Sequence, residues 1–231
     1  MLVLALDTTT RAGSVAVVGD GDAGYGVRSQ IVGDPSLTHG ARLPADLMRA
    51  LDAASIAIDA VDLLAVAAGP GSFTGLRVGI SAMQGLAMAI DRRIVPVSAL
   101  DALAAAGSDA NMPVACWMDA QRGEVFAALY DRSGRGLVVE PSVLTPARTL
   151  DEWTSALSGC RVRFIGDGAV RYTSVIRDRV PDCEIVEPPP LAAVIGRLAI
   201  ERPDRAVAPH AVVPIYIRKP DAELARDKRS T

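Results

Sequence analysis

Apolar positions in this chain first come in short unbroken stretches and only later recur at helical spacing. Leu2-Val3-Leu4-Ala5-Leu6 is ended by Asp7-Thr8-Thr9-Thr10, whose side chains suit a turn or cap, so a buried strand is predicted there. A small and β-branched run at 14–18 and a loosely alternating stretch at 25–32 predict two more strands, separated by the Gly/Asp-rich residues 19–24. Between 37 and 56, Leu43, Leu47, Leu51 and Ala54 alternate with Asp46, Arg49 and Asp52, which is helical spacing. Pro44 suits an early turn of that helix and would kink it anywhere later. A strand at 63–68, a glycine-rich turn at 69–75, a helix at 76–90, a strand at 94–97 and a helix at 100–106 follow. The first half therefore reads β-β-β-α-β-α-β-α.

The second half begins in the same way. Strands are predicted at 114–118, 125–130 and 136–144, then a helix at 150–157 and a strand at 162–165 that ends in Gly166-Asp167-Gly168. Helical and strand segments alternate from there to the end. A short phrase occurs twice: Leu6-Asp7 followed by Gly13-Ser14-Val15-Ala16, and Met118-Asp119 followed by Gly123-Glu124-Val125-Phe126-Ala127. An apolar strand, an Asp at its end, a turn and a second strand suggest a duplicated pair of domains. The boundary is expected within 106–112, giving an N-terminal unit at 1–106 and a C-terminal unit at 107–231. Residues 1–106 hold 7 basic and 10 acidic side chains, and 107–231 hold 17 of each, so the acidic excess lies wholly in the first half.

Composition narrows the classes. With 231 residues, large multidomain architectures are excluded, and 50% apolar with 22% charged residues argues against disorder. A net charge of −3 disfavours a wide grip on a nucleic-acid backbone, though not a local patch. No apolar run reaches the roughly 18 residues of a membrane span, and Asp7 interrupts the apolar start before a signal-peptide core forms, so a cytoplasmic protein without membrane attachment is expected. Cys116, Cys160 and Cys183 are widely spaced, with no CxxC pair, and read as buried or partly buried thiols.

Candidate chemistry is sparse. Gly69-Pro70-Gly71-Ser72-Phe73-Thr74-Gly75-Leu76-Arg77-Val78-Gly79 lies between a strand and a helix, where backbone N–H groups can meet an anion. It lacks both the P-loop ending and the dinucleotide spacing, and by itself it reads more readily as a tight turn with close helix packing than as a phosphate cradle. The helix behind it carries no charged residue between Val78 and Ala89. A helix apolar nearly all round must be covered nearly all round, and Gly75, Gly79, Ala82, Met83 and Leu86, with Leu43, Leu47 and Leu51 on the preceding helix, are read as a surface for a second chain. Asp7 beside Thr8 and Thr9 could organise Mg²⁺ and phosphate, with Asp119 and the Gly166-Asp167-Gly168 turn as a second half, although Asx turns have the same composition. Only two histidines exist, His39 and His210, so no HExxH or HxxxH pair is present, and there is no Gly-x-Ser-x-Gly elbow. No catalytic or metal-ligating residue is expected.

Leu4-Ala5-Leu6-Asp7-Thr8-Thr9, the glycine motif from Gly69 to Gly79 continuing through Gln84-Gly85-Leu86-Ala87, the segment from Asp119 to Ala127, Gly166-Asp167-Gly168 and Pro214-Ile215-Tyr216-Ile217-Arg218 together resemble the bacterial TsaB (YeaZ) family. The resemblance implies an α/β, actin/Hsp70/sugar-kinase-like (ASKHA) fold of two related βββαβα-type subdomains. It implies a non-catalytic role in forming threonylcarbamoyladenosine at position 37 of tRNAs that read codons starting with A. The catalytic relative, TsaD, holds a metal through an HxxxH helix, and alignment places those two positions on Ala99 and Leu103. Pairing with a TsaD-type subunit through N-terminal helices is implied, with a TsaE-type ATPase joining and tRNA reached only through the complex; two copies of the chain could pair when alone. No cofactor is implied, and a vestigial nucleotide or phosphate site would comprise Asp7, Thr8, Thr9, Gly71, Asp119, Gly166 and Gly168. The rival from another class is a stand-alone ASKHA-type small-molecule kinase using Mg-ATP.

Overall fold

In a computed structural model, residues 1–21, 24–109 and 111–218 are described. Two five-stranded mixed sheets form the frame. The first contains β1 (Leu2–Asp7), β2 (Ser14–Gly21), β3 (Gly24–Val32), β4 (Leu63–Gly69) and β5 (Ile94–Ser98), in the order β3-β2-β1-β4-β5. The second contains β6 (Val114–Asp119), β7 (Val125–Tyr130), β8 (Leu137–Leu144), β9 (Arg163–Ile165) and β10 (Glu184–Val186), in the order β8-β7-β6-β9-β10. In each, an antiparallel three-strand meander is joined to two parallel strands through its first strand. The same strand order and the same parallel/antiparallel pattern, repeated once, are the actin/Hsp70/sugar-kinase-like architecture.

The helices are α1 (His39–Ala54), α2 (Phe73–Ala89), α3 (Ala99–Gly107), α4 (Pro146–Leu157), α5 (Asp167–Arg171), α6 (Thr173–Arg179) and α7 (Ala192–Glu201). Strand alternation sorts the core into three parts. In β1, Leu4 and Leu6 face α1 and α2, where they meet Leu43, Leu51, Ile80 and Met83. Val3 and Ala5 face the other way, into a layer shared with α3, α7 and the inner face of the second sheet, including Cys116, Met118 and Tyr130. Trp117, Ala127 and Phe164 face outward onto α4 and α6. Because each sheet is covered on both faces, its central strands read as continuous apolar runs rather than alternating ones.

The chain returns to the first sheet near its end. Helix α7 packs on β1, β2 and β4, and Val207 and Val212 join the core beneath α1 and α2. Tyr130 on β7 donates its hydroxyl proton to Asp101 Oδ1 on α3 at 2.7 Å, a bond between the two halves. The three cysteines are free thiols, Cys116 buried and the others half-buried. Among the described residues, no helix is long and apolar enough to cross a membrane. The basic tail beyond Arg218 lies outside the described residues.

Candidate functional site: the cleft and the outer face of two helices

Asp7 and Asp119 end equivalent strands, β1 and β6, and both point toward the gap between the sheets. Each makes the same local bond: Asp7 Oδ1 accepts from the Thr9 N–H at 2.8 Å, and Asp119 Oδ1 accepts from the Gln121 N–H at 3.0 Å. The Thr9 hydroxyl adds a 2.6 Å bond to Asp7 Oδ1. Asp119 Oδ2 accepts from Arg171 at 2.9 Å. Behind the turn after β9, Gly166 holds φ at 122°, and a Cβ there would lie 2.1 Å from the Trp117 carbonyl oxygen. Only glycine allows that approach. It seats Asp167 so that its Oδ1 accepts from the Asp119 N–H at 3.0 Å and the Gly168 N–H at 2.9 Å.

The result is a cavity of about 240 Å³ walled by Asp7, Thr10, Ser14, Leu103, Met118 and Asp167, with Pro188-Pro189-Pro190 along one side. Asp119, Arg171 and Glu187 line an open hollow beside it. Burial pushes the Asp7 carboxyl above the usual carboxylate range, against the opposing bonds from Thr9, and the Asp167 charge adds to the rise. Burial likewise raises Asp167, with Asp119 contributing. Among the described residues the inner wall carries no Lys, Arg or His, and Arg171 lines the adjoining hollow.

Three amides of the glycine turn are engaged within the chain. Ser72 N–H donates to the Thr9 carbonyl at 3.2 Å, Gly75 N–H to Ser72 Oγ at 3.3 Å, and Leu76 N–H to the Ser72 carbonyl at 2.8 Å. A Cβ on Gly79 would lie 2.1 Å from Thr8 Oγ1, so this glycine lets α2 press against β1. Of the sequence-derived phosphate set, Asp7 and Gly166 wall the cavity and Asp119 its outer hollow. Thr8 and Thr9 are buried behind it, Gly71 packs on Thr9, and Gly168 packs on the backbone of Met118 and Asp119. Gly71 and Gly79 thus pack the turn and α2 against the end of β1. Asp167 lines the cavity from the Gly166-Asp167-Gly168 turn that the sequence offers as a second half of the site, whereas Ser14 and the three prolines carry no titratable group to mark them in the sequence.

A titration checks the Asp7 environment. A carboxyl raised on folding is protonated more readily in the native chain, so its contribution falls as pH climbs from the ordinary value of 3.8 through the raised native one. Asp7→Asn keeps an acceptor for Thr9 and removes the charge. Thermal melts across pH 4 to 8 are expected to show a higher Tm at neutral pH and a flatter profile than wild type; a lower neutral Tm would contradict the raised carboxyl.

Helices α1 and α2 cover the opposite face of the first sheet. The residues read from sequence as a docking surface are largely turned inward: Leu43, Leu51, Gly75, Gly79 and Met83 are buried in the chain's own core, and Leu47, Ala82 and Leu86 are half-buried. The correction follows from periodicity, since positions 76, 79, 80, 83 and 87 are the stripe facing the sheet. The outward stripe of α2 is Thr74, Arg77, Ser81, Gly85 and Met88, and on α1 it is Ala41, Pro44, Ala45, Met48 and Asp52, with the exposed Arg49 beside Met48. Arg77 is the sole charged side chain on the α2 stripe.

The TsaD family model, tRNA N6-adenosine threonylcarbamoyltransferase, matches residues 34–175. A crystal structure described as an uncharacterized protein with similarity to peptidase YEAZ from Pseudomonas aeruginosa superposes with TM-score 0.76 at 31% identity, covering 94% of this chain and 99% of that one. The chain belongs to the TsaB (YeaZ) family. The protein named tRNA threonylcarbamoyladenosine biosynthesis protein TsaB in Bacillus subtilis is 27% identical over 229 residues, 96% of both chains. Its namesake in Haemophilus influenzae is 36% identical over 128 residues, 54% of this chain and 52% of that one. The chain spans about half the length of the first curated relatives it matches.

In this TsaB-family chain two side chains stand where the resemblance puts the metal ligands of the catalytic relative. Ala99 and Leu103, where the family resemblance puts the HxxxH positions of the catalytic relative, are 0% and 1% exposed in the layer between the sheets, and Leu103 walls the cavity. A methyl and an isobutyl group offer no donor, so the residues present do not fit that metal.

Proposed function

We propose that this chain is a non-catalytic partner subunit in the formation of threonylcarbamoyladenosine at position 37 of tRNAs that read codons starting with A. Several curated relatives are named as tRNA threonylcarbamoyladenosine biosynthesis proteins. In this reading a TsaD-type subunit performs the transfer, a TsaE-type ATPase joins the pair, and tRNA meets the chain only within the complex, in the cytoplasm. The first sheet with α1 and α2 forms the docking subdomain, to which α7 and residues 207–212 return, and the second sheet with its helices forms the other.

The observation that carries the reading is the outer face of α1 and α2. Water-facing helix positions ordinarily carry Lys, Arg, Asp or Glu, whereas here Met88 is 72% exposed on an α2 stripe whose one charge is Arg77, and Met48 is 54% exposed beside Ala41, Pro44 and Ala45, with Arg49 and Asp52 at the edge of the patch. Small residues let another helix approach closely and methionines adapt to its surface. Two adjacent helices of this length can contribute the roughly 800 Å² per partner of a stable contact. The apolar Ala99 and Leu103 support a role beside a metal-bearing partner rather than as the metal-bearing subunit.

Reconstitution tests it. With TsaD-type and TsaE-type proteins, ATP, threonylcarbamoyl-AMP as donor and tRNA, modified nucleoside is expected to form with this chain and to be lost when it is omitted. The chain alone is expected to give neither modified tRNA nor heat on titration with Mg-ATP. Turnover of either substrate by the chain alone would overturn the proposal in favour of the kinase reading.

A further inference from the structure

The segment from Val212 to Arg218 begins under α2 and ends on the opposite side of the cleft. Val212 is buried beneath α1 and α2, and Gln84 Nε2 on α2 donates to the Pro209 and Val212 carbonyls at 2.9 and 3.2 Å. Ile215 N–H donates to the Ala68 carbonyl at 2.7 Å, near the end of β4. Tyr216 stacks on Phe73, the first residue of α2, with ring centroids 5.4 Å apart. Its hydroxyl accepts from Arg77 Nε at 3.2 Å, and the Arg77 guanidinium lies 3.9 Å from the Phe73 ring centre. Ile217 packs into the layer between the sheets. Arg218 then crosses to the second sheet, donating to the Ala120 carbonyl at 2.8 Å, pairing with Glu124 and lying over Phe126.

Ala120 and Glu124 bracket the β6–β7 turn, which is closed by Ala120 N–H to the Glu124 carbonyl and Glu124 N–H to the Gln121 carbonyl, both at 3.0 Å. That turn starts at Asp119, the carboxylate of the outer hollow. Tyr216 to Arg218 spans at most roughly 10 Å, so movement at one end has little slack to absorb it. The only charged side chain on the outward stripe of α2, Arg77, is also the one the segment holds.

We infer that residues 212–218 are a tie that couples the outer face of α2 to the β6–β7 turn, so that a protein seated on that face resets the position of Asp119 in the cleft. The response to a partner rests on the docking role proposed above; the coupling itself is a property of the free chain.

Hydrogen exchange on the full chain reads it at the Glu124 amide. Arg218→Ala cuts the tie, and Glu124→Gln weakens the same ion pair should the first variant fold poorly. Phe73→Leu loosens the far end, in the other half of the molecule. In the free chain, cutting the tie is expected to speed exchange at the turn on the order of tenfold and Phe73→Leu about threefold, with Phe73→Leu adding nothing once the tie is cut. Unchanged exchange in Phe73→Leu, or effects that simply multiply, would overturn the coupling. With a TsaD-type protein added, exchange at the turn should slow in wild type and not in Arg218→Ala; equal slowing in both overturns it. Should that protein not bind at all, the docking proposal fails, and the free-chain result alone decides the tie.

Discussion

Met88→Glu is expected to abolish pairing with a TsaD-type subunit while leaving the fold intact. Met88 lies on the last turn of α2, 72% exposed, where a carboxylate costs the isolated chain little. Once a partner covers it, the charge loses its water without gaining a counter-ion. Stranding an unpaired charge in a contact costs about 3 to 5 kcal/mol, which weakens affinity on the order of 100-fold or more. Met83→Glu, one and a half turns earlier, is the contrasting case. Met83 is 0% exposed and packs with Leu4, Leu51 and Ile80, so the same charge is placed in the core and the chain should fail to melt cooperatively. Titration calorimetry with the partner, paired with circular-dichroism melts, separates the two. Wild-type affinity in a folded Met88→Glu chain would remove α2 from the docking surface.

That contrast also marks how far the sequence could be read. The meanders and the parallel strands that follow were legible because apolar runs of five to seven residues end in Asp, Thr or Gly, and the repeated Leu-Asp and Met-Asp strand ends mark the Asp7 and Asp119 positions that the structure places across one cleft. The uncharged character of α2 was equally plain. Its orientation was not: an almost uniformly apolar helix has little polarity contrast, so Gly79 and Met83 look as fit for a partner as Ser81 and Met88 until the sheet fixes which side is inside. The close approach of Gly79 to Thr8, the cavity wall of Leu103 and Pro188–Pro190, and the return of residues 212–218 across the molecule depend on contacts distant in sequence. No local spacing encodes them. Asp101 to Tyr130 is a further case, since neither residue signals alone that a hydroxyl from the second sheet closes on a helix of the first half.

Arg42→Met is expected to be the most destabilising single change outside the apolar core. Arg42 is 7% exposed and sits on the first turns of α1, where it pairs with the buried Asp46, donates to the Ala12 carbonyl, and reaches His39 Nδ1 at 2.9 Å. His39 Nε2 lies 3.0 Å from the Thr10 carbonyl, so the ring donates there and accepts from Arg42 on its other nitrogen. One guanidinium thus pins the Thr10–Gly13 turn, which walls the cleft, to the docking helix. Removing it leaves Asp46 short of a partner and a buried carbonyl without a donor, a loss of about 3 to 5 kcal/mol, or a fall in Tm on the order of 10 °C for a chain of this size. Arg49, which holds the other oxygen of Asp46 from a side chain 59% exposed, should cost under about 1 kcal/mol when replaced by Ala, because water competes for that contact. A second readout is independent of stability. Burial and then the Arg42 charge hold the His39 imidazole below its ordinary value of 6.5; a group depressed in this way adds stability above the unfolded value and loses it as pH falls through the folded one. In Arg42→Met the His39 titration followed by nuclear magnetic resonance should move upward. A chain whose melting point and His39 titration both match wild type would show that Arg42 is a bystander, and that the turn and the helix hold their places through backbone packing alone.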